Sequence, residues 1–169
     1  MELRGDAVFL RPPRADDADR LNAILAEPSV AAWWPEFDVQ RVRDDLIAER
    51  DGEEGLVIEH DGTVVGYIQF AEELDPEFRH ASIDLFLATA AQGRGLGPDA
   101  IRAVAIHLID DRGHHRLTID PAAANARAIA AYAKLGFRPV GIMRAYQRMP
   151  DGRWVDGLLM DVLADELVR

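Results

Sequence analysis

The chain has 169 residues, 49% of them hydrophobic and 29% charged, with a formal net charge of −11 at pH 7 and no cysteine. This length suits one domain over residues 1–169 with a sizeable core, no apolar run approaches the roughly 18 residues of a membrane span, and the first ten residues lack the pattern of a signal peptide. The missing cysteine excludes disulfides, cysteine-ligated zinc and a cysteinyl acyl-enzyme and fits a cytoplasmic protein, while the acidic field repels nucleic acid and anionic membrane and attracts cations.

Residues 7–12 read as a first strand ended by prolines. Asp16 or Asp17 stands where it can cap a helix running to about Glu27, with Ala18, Leu21, Ile24 and Leu25 at helical spacing. The adjacent Trp33 and Trp34 cannot both face the core from one regular element. One belongs to the core; the other either covers a loop or lines a pocket wall, where an indole face can stack on a sugar or a cation. A second helix is expected over residues 39–50, with Val39, Val42, Leu46 and Ile47 on one side. Residues 56–60 and 63–70 are strands joined at Asp61-Gly62, a strong hairpin signal. An acidic loop, residues 72–80, leads to a strand over residues 81–88. Pro98 fits the first turn of a helix to about Arg112, with Ile101, Val104, Ala105, Leu108 and Ile109 as its core face.

Residues 116–120 make a short strand. Asn125 is a good N-cap for a helix over residues 126–135, and Gly136 a good C-cap. Residues 140–148 and 154–163 form a last hairpin around Pro150, Asp151 and Gly152. His114-His115 has no third ligand at metal spacing and reads as a polar helix end, so no metal is expected. Asp44-Asp45 and Asp110-Asp111 read as solvated faces. The order β-α-α-β-β-β-α-β-α-β-β is an α+β fold around one mixed sheet with helices on both faces.

The chemistry concentrates in residues 82–97, an apolar strand holding one carboxylate, Asp84, that runs into a glycine loop and a helix. Free amides at a helix N-terminus suit a phosphorylated ligand. Gln92-Gly-Arg-Gly-Leu-Gly97 has the wrong spacing for the dinucleotide fingerprint, and no Lys-Ser/Thr pair follows to make a P-loop. It remains a loop that can point amides at a diphosphate, with Arg94 available for charge. With the strand Ile83 to Leu87, the pattern N-x-x-A-x-x-x-Y-x-K-x-G-F from Asn125 to Phe137 and the element order, it makes the chain resemble the GCN5-related N-acetyltransferases over nearly its whole length. Within that family the segments at residues 8–11, 33–34, 66–69, 83–87 and 118–125 are similar to the aminoglycoside 6'-N-acetyltransferases. The loop over residues 72–80, which covers the acceptor in that family, is shorter here and lacks tryptophan.

The resemblance implies a central, mostly antiparallel mixed sheet, acetyl-CoA as cosubstrate, and direct attack of an amine on the thioester. A carboxylate in an apolar strand is costly unless paired or used. For Asp84 the structural account is a salt bridge with an arginine; the resemblance puts it where the incoming amine arrives, able to take a proton directly or through water. Asp120, before Pro121, is either a turn residue or, by resemblance, a ligand of the substrate amine. Gln92, Gly93, Arg94, Gly95, Leu96 and Gly97 would cradle the pyrophosphate, Phe86 and Leu87 would offer backbone groups to the pantetheine arm, and Asn125 would bond that arm. Tyr132 would lie near the sulfur and protonate the leaving thiolate. Trp33, Trp34, Asp84 and Asp120 would face the acceptor, a small cationic amine such as an aminoglycoside, on a monomer or homodimer. The alternatives are another amine (a protein N-terminus, a polyamine, a siderophore precursor) or a non-catalytic acyl-CoA-binding module.

Overall fold

The strands of the computed structural model, which describes residues 1–169, are β1 (Leu3–Arg4), β2 (Phe9–Arg11), β3 (Glu53–His60), β4 (Thr63–Glu73), β5 (His80–Leu87), β6 (Arg116–Ile119), β7 (Arg138–Arg148) and β8 (Trp154–Leu163). They form one eight-stranded sheet in the order β1-β2-β3-β4-β5-β6-β8-β7. Only β5 and β6 run parallel. The helices are α1 (Ala18–Leu25), α2 (Pro28–Ala31), α3 (Val39–Val42), α4 (Leu96–Ile106) and α5 (Ala126–Ala133). None is long and apolar enough to cross a membrane.

Strand β4 shows why helices cover both faces. Alternate side chains of a strand point to opposite sides. Tyr67 reaches one side, where its hydroxyl donates to the Leu46 carbonyl at 2.8 Å just after α3. Phe70 reaches the other, against His107 at the end of α4. Both are buried, as is the run from Val65 to Ile68, which is how a strand covered on both faces reads.

The hairpin at Asp61-Gly62 forms as expected, with Asp61 at φ 50 in the left-handed region. Asn125 caps α5 through the Ala128 amide at 3.2 Å, and Gly136 ends that helix region with φ 100. Other expectations change. Neither Asp16 nor Asp17 caps α1 by its side chain. A short 3-10 turn, Ala15–Asp17, comes first. Asp17 is drawn instead to Arg11, only 6% exposed, whose guanidinium holds both carboxylate oxygens at 2.8 Å while its Nε donates to Glu59 at 2.7 Å. The expected helix over residues 39–50 widens after Val42 into a π turn, Arg43–Ile47, and stops. Asp38 caps its start.

The sheet is longer than expected at the end of β4. Glu72 stays in the ladder opposite Ala81, where Arg112 donates to it at 3.0 Å and His114 pairs with it at 2.7 Å. His114 is therefore 1% exposed, a buried anchor rather than part of a polar helix end. The acidic loop shrinks to residues 74–79, and Arg79 fastens it to the Arg112 carbonyl at 2.6 Å. On α4, the buried Asp99 accepts the amides of Asp6, Ala7 and Val8 at 2.9, 2.8 and 3.1 Å and is paired with Arg102 at 2.7 Å. This carboxylate clasps the N-terminal strap to the helix.

The Arg11–Asp17 pair yields a stability prediction. Asp17→Ala leaves a buried guanidinium without its bidentate partner and should cost about 3 kcal/mol in urea unfolding at pH 7. Hydrogen bonding to Arg11 holds the Asp17 carboxyl below the usual carboxylate range. The pair's contribution is thus present above that range and lost as the pH falls below it, so the difference between the proteins should shrink in acid.

Candidate active site

The site begins where β5 and β6 part. Their parallel register covers Ala81–Leu117 and Ser82–Thr118. Beyond it β6 reaches Asp120 and Pro121, and proline has no amide to extend a ladder. β5 continues alone on that side to Leu87. In the gap, the Leu85 amide donates to the Asp84 Oδ1 at 2.9 Å and the Leu87 carbonyl accepts from Gln92 at 2.9 Å. A cleft of about 1460 Å³ opens there.

One end of the cleft is an anion cradle. Gly93 and Gly95 have φ of 76 and 82, a conformation that side chains disfavour, and this turns the chain into α4. The amides of Gly93, Arg94 and Gly95 have no backbone acceptor, and those of Leu96 and Gly97 stand at the open N-terminus of α4. Gln92 bridges the Leu87 carbonyl and Arg127, whose Nη1 donates to its Oε1 at 3.1 Å. Arg127 lines the cleft beside Gly93. Arg94 does not; its guanidinium turns outward to His60 Nε2 at 3.2 Å. The guanidinium that the structure sets beside the glycine loop is that of Arg127, third residue of the pattern that begins at Asn125, at a position that pattern leaves open. Asn125 also lines this end.

In the middle are the acids. Continuing the β5–β6 register sets Asp84 level with Asp120. Asp84 makes no salt bridge, so the structural account considered for it does not hold. It is exposed to solvent in the cleft, between strands whose backbones flank it. Desolvation by the surrounding protein, together with the charge of Asp120, pushes its carboxyl up to about 7, and the Leu85 amide offsets only part. Burial also raises Asp120, against the opposing effect of the Tyr146 hydroxyl. Tyr132 lines the cleft from α5 and packs on Phe137. Burial, then the two carboxylates, hold its phenol protonated well above its ordinary range.

Tyr146 was not singled out by sequence. β7 carries a register shift between Met143 and Gln147, with Ala145 at φ 50 and its amide on Asp156 at 2.8 Å. The bulge re-aims Tyr146 over β8, where only a glycine fits: a Cβ on Gly157 would lie 2.8 Å from the ring. Its interaction with Asp120, then burial, pushes the Tyr146 phenol up to about 12.

At the other end both tryptophans line the cleft. Trp34 leans edge-on against the buried Phe86, with ring centres 5.1 Å apart, and Trp33 lies outside it. Trp34 thus packs on the core, and Trp33, the other indole, lines the cleft wall. Asp45 also faces the cleft but is paired with Arg41 at 3.0 Å. No residue of the 72–80 loop lines the cleft. The implied acceptor cover is absent because Arg79, Glu72, Arg112 and His114 tie that loop to the far end of β4 and β5.

A model of the GNAT acetyltransferase domain matches residues 7–138. The aminoglycoside N(6')-acetyltransferase type 1 of Klebsiella pneumoniae is 30% identical over 166 residues, covering 87% of this chain and 80% of that protein. The solved structure of Mycobacterium smegmatis RimJ in complex with CoA-disulfide is similar with a TM-score of 0.83 at 29% identity, over 100% of this chain and 88% of that one. That of AAC(6')-Ib in complex with paromomycin and acetyl-CoA gives a TM-score of 0.76 at 27% identity, over 95% and 96%.

The raised Asp84 carboxyl predicts an inverted pH dependence of stability. The folded protein holds this proton more tightly than the unfolded chain, whose value is near 3.8. Asp84 therefore loses stability for the fold as the pH rises from the ordinary carboxylate range to about 7. In urea unfolding, Asp84→Asn should gain on the parent protein across that interval and hold a constant lead above it. A constant difference throughout would mean that Asp84 titrates as an exposed carboxylate.

Proposed function

This chain belongs to the GNAT acetyltransferase family, and on that premise we propose that it transfers the acetyl group of acetyl-CoA to a primary amine of a small cationic acceptor, with residues 1–169 acting as one catalytic domain. The observation that carries this reading is one cleft holding an anion cradle at one end and two carboxylates without basic partners in the middle. The unbonded amides of residues 93–97, with Arg127, fit a diphosphate, and the edge of β5 that β6 leaves open beyond Ser82, with Asn125, fits an amide-bearing arm. Acetyl-CoA supplies an activated acyl group as its thioester.

The protein's own groups then have distinct tasks. Asp120 and Asp84 attract the ammonium form of the acceptor. Asp84, poised near neutrality, takes one of its protons, because an ammonium has no lone pair for attack. Tyr132 keeps its proton until a thiolate leaves and then donates it. Tyr146 lines the cleft beside these acids, and Asp120 keeps its phenol protonated. With no cysteine to carry the acyl group, the amine attacks directly, and holding both partners in one cleft provides much of the acceleration.

For the acceptor, the paired acids, the indole of Trp33 and the Klebsiella pneumoniae relative support an aminoglycoside, which would make the protein a resistance enzyme. A second reading is an amine of another kind. Arg148 faces the same cleft without an acidic partner, whereas Arg41 and Arg50 there are paired with Asp45 and Glu53, and the Arg148 charge opposes a polycation more than a monoamine.

Thiol release from acetyl-CoA with aminoglycosides, polyamines, amino acids and peptides tests the reading. Turnover of some amine is expected. Tight acetyl-CoA binding with no thiol release for any would leave a binding module. Asp84→Asn should lower kcat by about 100-fold or more while leaving acetyl-CoA affinity unchanged. In the parent, kcat/KM should fall as the pH drops through about 7, because the base must be ionised. Gly95→Glu places a strained, negative side chain in the cradle and should abolish acetyl-CoA binding measured by calorimetry.

A further inference from the structure

A side cavity of about 380 Å³ opens off the cleft and shares Ala32, Trp33, Ala122, Ala124, Gln147 and Trp154 with it, while Ala123, Met149, Val155 and Asp156 are its own. Its walls are mostly apolar, with Trp154, Met149 and Val155 opposite the alanines of residues 122–124. Both indoles are partly uncovered, Trp154 at 58% exposure and Trp33 at 37%. A tryptophan gains most by covering its ring, so two partly uncovered rings on one small cavity are surface kept for a partner.

The cavity's polar side chains are already engaged in building its walls. Gln147 donates to the Trp33 carbonyl at 3.3 Å, closing the boundary with the cleft. Asp156 accepts the Ala145 amide through its side chain, and its carbonyl accepts the Ala123 amide, each at 2.8 Å. The Leu158 amide holds the Pro121 carbonyl at 2.8 Å, so the turn after Asp120 is stitched to β8 and the cavity is preformed. The path into it is short in the chain. Asp120 faces the amine position, Pro121 follows, and Ala122 is already wall.

We propose that this cavity is an acceptor subsite for an apolar group of aromatic-ring size, so that the acceptor is a primary amine carrying a hydrophobic arm. The inference rests on the reading of the cleft as an N-acetyltransferase site. The ammonium sits at Asp84 and Asp120, and the arm passes Pro121 to lie between the indoles and the alanine turn. The cavity contributes binding and selectivity but no step of the chemistry.

The test compares phenethylamine with n-propylamine, which share a primary ammonium and differ in the ring. Binding to the full chain in the presence of CoA is read by calorimetry, and turnover by thiol release with acetyl-CoA. Phenethylamine should bind, and show a KM, about tenfold or more tighter, with similar kcat. Ala123→Phe fills the cavity and Met149→Ala strips one wall, both at residues that line the cavity and not the cleft. Each should erase that advantage while leaving the n-propylamine rate and the acetyl-CoA KM unchanged. Turnover of both amines with equal KM would overturn the subsite and leave the acetyltransferase reading intact. So would an advantage that survives both variants. Tighter phenethylamine binding that both variants abolish, without turnover of any amine, would support the subsite and overturn the reaction.

Discussion

The site depends on a parallel strand pair that is held for only two register positions. β5 and β6 meet at Ala81–Leu117 and Ser82–Thr118 and then diverge. Parallel neighbours need a crossover, here α4, and the crossover must start where β5 ends. The helix N-terminus and its unbonded amides therefore arrive at the mouth of the gap that the divergence makes. The same divergence exposes the β5 backbone as a floor and stands Asp84 and Asp120 side by side. A ladder carried two residues further would close the cleft and hide both acids.

Electrostatics separates the acids that build the fold from those that face the cleft. Asp17 has Arg11, Glu72 has Arg112, and Asp99 has Arg102. Each of these carboxylates is withdrawn from water, and each has a guanidinium to offset the cost. Asp84 and Asp120 have none, and their raised proton affinity follows. In a chain with net charge −11, an unpaired acid pair beside an amide cradle gives the cleft two poles of opposite preference, one for anions and one for cations.

What was legible in the sequence was what neighbours in the chain decide. The Asp61-Gly62 turn, the Asn125 cap, the Gly136 stop and the glycine loop are all local, and all stand where the residues put them. The acid pair was legible through the family resemblance, and its level placement through the strands that carry it. The failures share a cause in distant partners. Asp17 left its capping role for Arg11, and His114 was buried by Glu72, 42 residues away. Arg94 meets His60, 34 residues away, while Arg127 comes beside the glycine loop through Gln92. Tyr146 enters the cleft by a bulge in which the Ala145 amide bonds the Asp156 side chain on the next strand. None of these choices has a signature within a window of a few residues.

The Asp99 clasp bears on how the chain is assembled during synthesis. Its hydrogen bonds to the N-terminal strap span 91 to 93 residues. On the ribosome, the strap emerges first and its partner only after more than half the chain has followed. Until then Leu10, which ends fully buried, has no helix-bearing layer to close over it. The beginning of this polypeptide is thus locked late, by a residue translated long afterwards, and the nascent chain carries exposed apolar strands through most of its elongation.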